Sequence, residues 1–571
     1  MSWLSLLLFS ICISLFCMIM KQKKKETRDD EEEVELNVPN GPLGIPFLGN
    51  ILQLGNRPFE TLFKWRSEYG PIFKINLGSK TVVVLNGTKI IREALVEHGD
   101  EFAGRPHLYM IHATLKGKGV ISSPYNTDYN EHKKFLLNTF NRFGKRRSSL
   151  ENNCLQTIRE TLDEYREKMD HEFDYTNVFM KNSLSQITSQ NVLTMTFGNR
   201  MHDKRTFSIL MDLISENFKN TAISAAFNFL PITRIFQTYI LKNAFKCSEF
   251  LNNLISEKVK EFNDSCDFDE DTVNEIKKDE VKRDSSTEDS NIIECYLREL
   301  MNNVEFFTKD SIDSIIGQET NSAEFLKQSK NLTERRRSSI NELTPNALNS
   351  GRFRSRYKSF SFDHLSSMVQ DLFVAGTETV SNTLYWALIY VTYFPEVQKE
   401  IHSEIDRLLG KEKLPTESDR FKLAYTEAFL NETMRFHCAG PILIPRSTTC
   451  NLMFRGYSIP ENTFIMVNMW SCMHDPEYWD EPEKFNPKRF INEQGKFECK
   501  NPAMMPFSIG KRACTGESLA RLQLFLIFTS LLQKFIFSFS SDLNYNDKRI
   551  IEGIPGIGLK PQDISLKLKI R

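Results

Sequence analysis

The chain has 571 residues, 40% of them apolar, with 44 phenylalanines, enough for a large packed core, which excludes a disordered protein. Its 73 basic and 74 acidic residues nearly cancel, which argues against nucleic-acid binding as the main function. Eleven cysteines at irregular spacings, without a CxxC pair, indicate free thiols in a reducing compartment.

An uncharged apolar run opens the chain at residues 3–20. As a helix it would span roughly 27 Å, the length of one transmembrane crossing. Lysines follow at once, and the positive-inside rule places everything after them in the cytosol. A cleaved secretory signal would need basic residues before the run and a small-residue cleavage site after it, so an uncleaved anchor is favoured. Residues 21–38 are dense in charge and are predicted to form a solvated linker.

From residue 39 to residue 571 the pattern indicates one large domain, mainly α with small β-sheets. Apolar residues recur at helical spacing over about 130–260 and 360–440. The strand-like runs are 72–77, 81–85, 452–457 and 464–469.

Two charged segments, at about 262–290 and 304–358, interrupt this pattern. They are predicted to be solvated insertions flanking a short helix at 291–303. Within the second, the run of three arginines and two serines at 335–339 is typical of a basophilic kinase site.

Two motifs place polar side chains on predicted helices. Glu378 and Thr379 belong to a long apolar helix, where the threonine could simply bond back to its own helix. Glu432 and Arg435 are three residues apart and so share a helix face, as in an ordinary ion pair. Arg489 follows in the sequence FNPKRF.

The most informative segment is FSIGKRACTG at 507–516, directly before a helical run from 517 to 534. Cys514 would feel the positive end of that helix and the charge of Arg512, which favour the thiolate. Gly510 and Gly516 allow the backbone to turn and approach a flat macrocycle, while Phe507 can pack beside the sulfur. Taken alone, Cys514 could equally be a small buried apolar residue.

This segment resembles the haem-binding loop of the cytochrome P450 family, the haem-thiolate monooxygenases, and the other motifs follow in the family's order. The resemblance implies the cytochrome P450 fold and assigns Cys514 as the axial ligand of the iron of haem b. It implies that Ala375 and Gly376 make room for O2 on the distal helix. Glu378 and Thr379 would then deliver protons through water.

The resemblance also implies a buried network of Glu432, Arg435 and Arg489 behind the haem loop, with a structural role.

Two haem propionates need cationic or hydrogen-bonding partners, and Arg512 and Arg446 occupy the family's positions for this task. The family's W-x-x-x-R pair is replaced here by Tyr129 and Lys133. Lysine offers a point charge in place of a planar fork, so this contact should be looser or shared with the tyrosine.

The resemblance implies an apolar substrate cavity, formed by 105–120, 225–236, Val374, Ala375 and 442–444, for a steroid, fatty acid or xenobiotic. No nucleotide-binding fingerprint is found, so electrons must come from another protein. The resemblance implies that NADPH-cytochrome P450 reductase supplies them, with cytochrome b5 as a further donor. Lys133, Lys134, Arg142 and Lys511 are the predicted docking patch.

The expected location is the endoplasmic reticulum membrane, crossed once, with the catalytic domain in the cytosol. The leading function is insertion of one oxygen atom from O2. The alternatives are a haem-thiolate isomerase or dehydratase that acts without a reductase, and a non-enzymatic haem sensor. Neither needs a proton relay, so the pair Glu378 and Thr379 favours the monooxygenase.

Overall fold

A computed structural model describes residues 37–145, 147–169, 176–178, 180–198, 209, 210, 213, 228–230, 233, 234, 237–265, 291–302, 360–540, 549–556 and 558–571. The predicted anchor at 3–20, all but the last two residues of the linker, and the insertion at 304–358 with its kinase-site motif lie outside them, as do residues 266–290. Within the described ranges, no helix combines the length and apolar character needed to cross a bilayer.

Helices form most of the described structure. In chain order they are α1 Pro58–Tyr69, α2 Thr88–Arg92, α3 Tyr109–Leu115, α4 Thr127–Lys145, α5 Arg147–Met169, α6 Met180–Phe197, α7 Gln237–Ser265, α8 Ile292–Asn302, α9 Phe362–Tyr393, α10 Pro395–Leu408, α11 Ala424–Phe436, α12 Trp470–Met473, α13 Glu517–Lys534 and α14 Arg549–Glu552.

The centre of the fold is α9, a 32-residue helix buried around most of its circumference. The Ser361 hydroxyl caps its first turn by accepting a hydrogen bond from the His364 backbone N–H. The helix ends at Tyr393, because Phe394 precedes a proline and is therefore disfavoured in the helical region. Helices α6, α7, α11 and α13 pack against α9, so a side chain on this helix reaches the interior of the molecule.

In the described part of the chain, nine strands form three small sheets. The strands are β1 Ile72–Leu77, β2 Lys80–Asn86, β3 Thr176–Val178, β4 Arg446–Ser447, β5 Leu452–Phe454, β6 Tyr457–Ile459, β7 Phe464–Asn468, β8 Phe535–Phe539 and β9 Leu566–Ile570. The largest sheet has the order β1-β2-β7-β4, with β2 and β7 parallel and the other two pairs antiparallel. The remaining sheets have the orders β3-β9-β8 and β5-β6.

The predicted fold class, mainly α with small sheets, is confirmed, and 72–77 and 517–534 match β1 and α13 residue for residue. Several boundaries need correction. The strand predicted at 81–85 is one residue longer at each end, and the helix predicted at 291–303 is one residue shorter at each end. The single strand predicted at 452–457 is wrong, because Arg455 and Gly456 adopt positive φ and turn the chain into a hairpin of β5 and β6. The strand at 464–469 ends one residue earlier. Residues 262–265, predicted to begin an insertion, belong to α7.

Candidate active site

The loop before α13 is shaped by its glycine. The Cys514 N–H donates to the Phe507 carbonyl at 2.9 Å, which folds residues 507–514 back on themselves. Gly510 lies at φ +76°, and a Cβ there would sit 1.8 Å from the Leu95 carbonyl oxygen. No other residue type fits this approach, so the loop backbone is fixed against the segment that follows α2.

Cys514 lies three residues before the start of α13 and keeps accessible surface. Burial by the surrounding protein nevertheless raises the pKa of its thiol, while the Gly516 backbone N–H opposes that shift. The backbone N–H at the helix start therefore favours the thiolate as predicted, but desolvation has the larger effect on the pKa of the thiol. A coordinating metal ion deprotonates a thiol outright through its own charge.

The guanidinium groups of Arg446 and Arg512, which are buried, and of Arg105, which is half-buried, converge beside the loop. Arg446, on β4 and 1% exposed, donates from Nη2 to the Ser508 hydroxyl, and its Nη1 has no partner among the described residues. Arg512 donates from Nε to the Ala103 carbonyl at 2.9 Å and from Nη2 to the Ser123 carbonyl at 2.8 Å.

Arg105 is the third guanidinium, and sequence reasoning missed its role. Its Nε donates to Ile121 at 2.8 Å and its Nη1 to Ile444 and Pro445, all at backbone carbonyls. Its partners at 444 and 445 are more than 300 residues away in the chain, so no local pattern announces the contact.

These three guanidinium groups are all positively charged and repel one another. Desolvation lowers the pKa of Arg446 to about 10, with Arg512 contributing further. Desolvation and both neighbouring arginines lower the pKa of Arg105 as well. Such a cluster is suited to a ligand that carries more than one negative charge.

The side chains of Tyr129 and Lys133, on α4, contact the backbone of the loop at 507–516. The Tyr129 hydroxyl donates to the Lys511 carbonyl at 3.0 Å, and the Lys133 ammonium donates to the same oxygen. The Arg512 guanidinium stacks over the Tyr129 ring at 3.7 Å. In the structure these side chains therefore support the loop; their predicted contact with a propionate stays a prediction.

Behind the loop, Glu432, Arg435 and Arg489 meet as the sequence motifs indicate. The Arg435 Nε and Nη2 donate to the two Glu432 carboxylate oxygens at 2.7 and 2.9 Å. The Arg489 Nε donates to Glu432 Oε1 at 3.1 Å, and the Asn486 N–H donates to the same oxygen at 2.8 Å. Glu432 and Arg435 are fully buried, so their charges are paired where water cannot reach them.

One turn of α9 faces open space in an otherwise buried stretch. Ala375 and Thr379, four residues apart on one face, are exposed, and Val374 and Gly376 are half-buried. Gly376 packs against α6, since a Cβ there would lie 3.0 Å from Val192 Cγ2. This turn is where a small molecule can approach the helix.

The acid and the alcohol occupy different sides of that turn. The Thr379 hydroxyl donates to the Ala375 carbonyl at 2.6 Å, which leaves its oxygen lone pairs for a donor in the open space. Glu378 is buried, and Asn382 Nδ2 donates to its Oε2 at 3.3 Å. The helix back-bond foreseen for the threonine is therefore present, together with an accessible oxygen.

The segments predicted to line the cavity are partly described. Residues 105–120 contain α3, and their end is held by Asp371 of α9, whose Oδ2 accepts hydrogen bonds from the N–H groups of Val120 and Ile121. Burial raises the pKa of Asp371 to about 7. Of the stretch 225–236, only residues 228–230, 233 and 234 belong to the described structure, and Ile444 is exposed.

The predicted docking patch is less basic than its sequence suggests. Lys134 is exposed, but the Lys511 ammonium lies 3.2 Å from the Asp100 carboxylate. Lys133 is directed to the loop carbonyl, and the side chain of Arg142 lies outside the described part of the chain.

The residues present fit a haem. The cysteine is accessible before a helix start, the loop glycine permits close approach, and the unpartnered Nη1 of Arg446 lies in a cluster suited to carboxylates. A cysteine-ligated haem enzyme that oxidises small molecules is the class that this arrangement indicates.

Comparison with known proteins agrees. A family model described as Cytochrome P450 matches residues 39–313 and 297–568. Cytochrome P450 2C29 of Mus musculus is 31% identical over 506 residues, which cover 87% of this chain and 87% of that protein. Cytochrome P450 2H2 of Gallus gallus is 30% identical over 533 residues, which cover 93% of this chain and 91% of that protein. The chain belongs to the cytochrome P450 family and is a haem-dependent monooxygenase.

Proposed function

We propose that this enzyme inserts one atom of O2 into a lipophilic substrate such as a steroid, fatty acid or xenobiotic. Haem b would be the cofactor, and NADPH-cytochrome P450 reductase, with cytochrome b5 as a further donor, would supply electrons from NADPH. Residues 3–20 would anchor the enzyme once in the endoplasmic reticulum membrane, with the catalytic domain, residues 39–571, in the cytosol. The observation that carries the proposal is the exposed turn of α9 that bears Ala375 and Thr379.

Cys514 would hold the iron, and Arg446, Arg105 and Arg512 would face the propionates. Arg446 contributes most, because its Nη1 is buried without a partner among the described residues. Phe507 is half-buried beside the loop, and Arg521 stacks on its ring at 4.8 Å, which limits access of water to the sulfur side. When bound, the haem supplies the iron chemistry that activates dioxygen.

Thr379 and Glu378 deliver the protons. The Thr379 oxygen accepts a hydrogen bond from water at the open turn, because its proton is committed to the Ala375 carbonyl. Glu378, the neighbouring residue, is the acid that replaces each proton consumed. A haem sensor or an isomerase has no use for this supply of protons.

A lipophilic substrate is supported by the apolar lining. Ala375, Val374 and Leu443 keep partial or full exposure near α9 and β4 although their side chains are apolar. In the 105–120 segment, Arg105 donates to backbone carbonyls, and the ammonium groups of Lys116 and Lys118 pair with Asp363. A pocket lined by apolar side chains favours lipophilic ligands.

Spectroscopy followed by turnover tests the function. The full-length protein with its haem, reduced under CO, should show the thiolate-type Soret shift. With reductase and lipophilic candidates, NADPH consumption should then rise and product should form. A shift without NADPH-dependent turnover on any candidate would support the isomerase or sensor instead.

Charge reversal tests the docking surface. Lys134→Glu should weaken reductase affinity at low salt, whereas Lys399→Glu, an exposed lysine on α10, should not. Equal affinity for both variants would refute the patch.

Fusing residues 1–25 to a reporter tests the anchor, since a secreted and processed reporter would contradict it.

A further inference from the structure

A lysine from the C-terminal segment reaches the buried acid of α9. The Lys560 ammonium lies 3.6 Å from Glu378 Oε2, the same oxygen that accepts a hydrogen bond from Asn382. The Glu378 side chain is 7% exposed and that of Lys560 is 21% exposed. The lysine therefore lies between a carboxylate shielded from water and the solvent.

Both partners are held by their surroundings. The backbone N–H of Lys560 donates to the Ile554 carbonyl at 2.9 Å, and the Ile554 N–H donates back at 2.6 Å. The carbonyl of Leu559 accepts a hydrogen bond from Nε1 of Trp386, two helical turns beyond Glu378 on α9. The lysine is thus tied to the same helix that carries the acid.

The two contacts at Glu378 direct its carboxylate. Asn382, four residues later, lies on the same face of α9, whereas Thr379 is displaced by about 100° around the helix axis. The amide and the ammonium therefore hold the carboxylate on the side of the helix away from the exposed turn.

We infer that Lys560 is a positioning residue for oxygen activation, which holds the Glu378 carboxylate beside Asn382 and so sets how readily Glu378 passes protons toward Thr379. This inference rests on the proposed proton-delivering role of Glu378. Lys560 acts through its charge and keeps its own proton. The Glu378 carboxylate first takes up a proton from solvent on the lysine side and then gives that proton up toward Thr379, after which it is again a carboxylate beside Lys560 and Asn382.

Stability alone does not explain the pair. Removing two charges from water costs several kcal/mol per ion in general, and an apolar pair of similar volume is often at least as stable. A lysine that reaches a buried acid beside the reaction space is better explained by control of that acid.

Four variants of the full-length enzyme with its haem separate these roles: Lys560→Met, Lys560→Arg, Glu378→Gln and the double variant Glu378→Gln/Lys560→Met. Lys560→Met should lower product formed per NADPH by roughly fivefold and raise peroxide release. That factor corresponds to about 1 kcal/mol, the scale of a partly screened ion pair. Lys560→Arg should restore most of the loss, and Lys560→Met should have no further effect when Glu378 is glutamine.

A second measurement does not depend on turnover. In denaturant unfolding, the effects of Glu378→Gln and Lys560→Met should be non-additive in the double variant, as for two charges in contact. Lys569→Met, on β9 in the same C-terminal segment, is the control and should leave the product formed per NADPH unchanged.

The outcomes distinguish the two levels of argument. If Glu378→Gln lowers product per NADPH and Lys560→Met does not, the role of Lys560 is overturned while the proposed function stands. Additive unfolding effects would also overturn it. If Glu378→Gln forms as much product per NADPH as the wild type, the acid is not the proton source. Both that role and the inference on Lys560 are then wrong.

Discussion

Removing the Glu432 carboxylate should cost the protein its haem. In Glu432→Ala, Arg435 is left fully buried with two nitrogens that lose their acceptor, and Arg489 and the Asn486 N–H lose one each. Breaking a buried ion pair by removal of one partner costs about 3–5 kcal/mol. The total free energy of unfolding of a typical domain is only about 5–15 kcal/mol.

The assay compares haem content, from the reduced CO spectrum, with the denaturant midpoint of unfolding. Glu432→Gln keeps the shape but not the charge and should give an intermediate loss. Glu400→Ala, an exposed glutamate on α10, is the matched control and should change stability by no more than about 0.5 kcal/mol. If Glu432→Ala bound haem and unfolded like Glu400→Ala, the structural role would be refuted.

Gly510→Ala should abolish haem binding because its Cβ would collide with a backbone carbonyl, whereas Gly495→Ala, also at positive φ but with open space, should cost only about 1 kcal/mol. Arg446→Gln should lower haem retention in competition with apomyoglobin, and Arg446→Lys should restore part of it. Thr379→Ala should release peroxide at the expense of product; unchanged coupling would contradict the relay. Because burial raises the pKa of Asp371 to about 7, above its unfolded value, its contribution to stability is lost as pH rises through about 7. Denaturant midpoints should therefore show wild type losing stability relative to Asp371→Asn between pH 5 and 8.

Local patterns predicted the elements whose stabilisation is local. The alternating run at 72–77 is β1, and the long apolar run at 517–534 is α13. The hairpin at 452–459 was missed because Arg455 adopts positive φ, which its residue type does not announce.

The site divides in the same way. Glu432 and Arg435 were predictable because helical spacing alone brings them together. Arg105 was not, since its role depends on carbonyls at Ile444 and Pro445 that only the folded chain supplies. The net direction of the Cys514 pKa shift was not predictable for a similar reason, because desolvation depends on everything packed around the thiol.

The parallel pairing of β2 with β7 has a consequence for synthesis. Asn86 and Asn468, bonded side chain to side chain at 2.8 Å, are 382 residues apart in the chain. At about 5–20 residues per second, β2 waits roughly 20–80 s on the ribosome before its neighbour is made. During that time an apolar strand edge has no partner to its β7 side. Ribosome-bound chains ending before Phe464 should be cleaved by protease around β2, and the released full-length chain should resist.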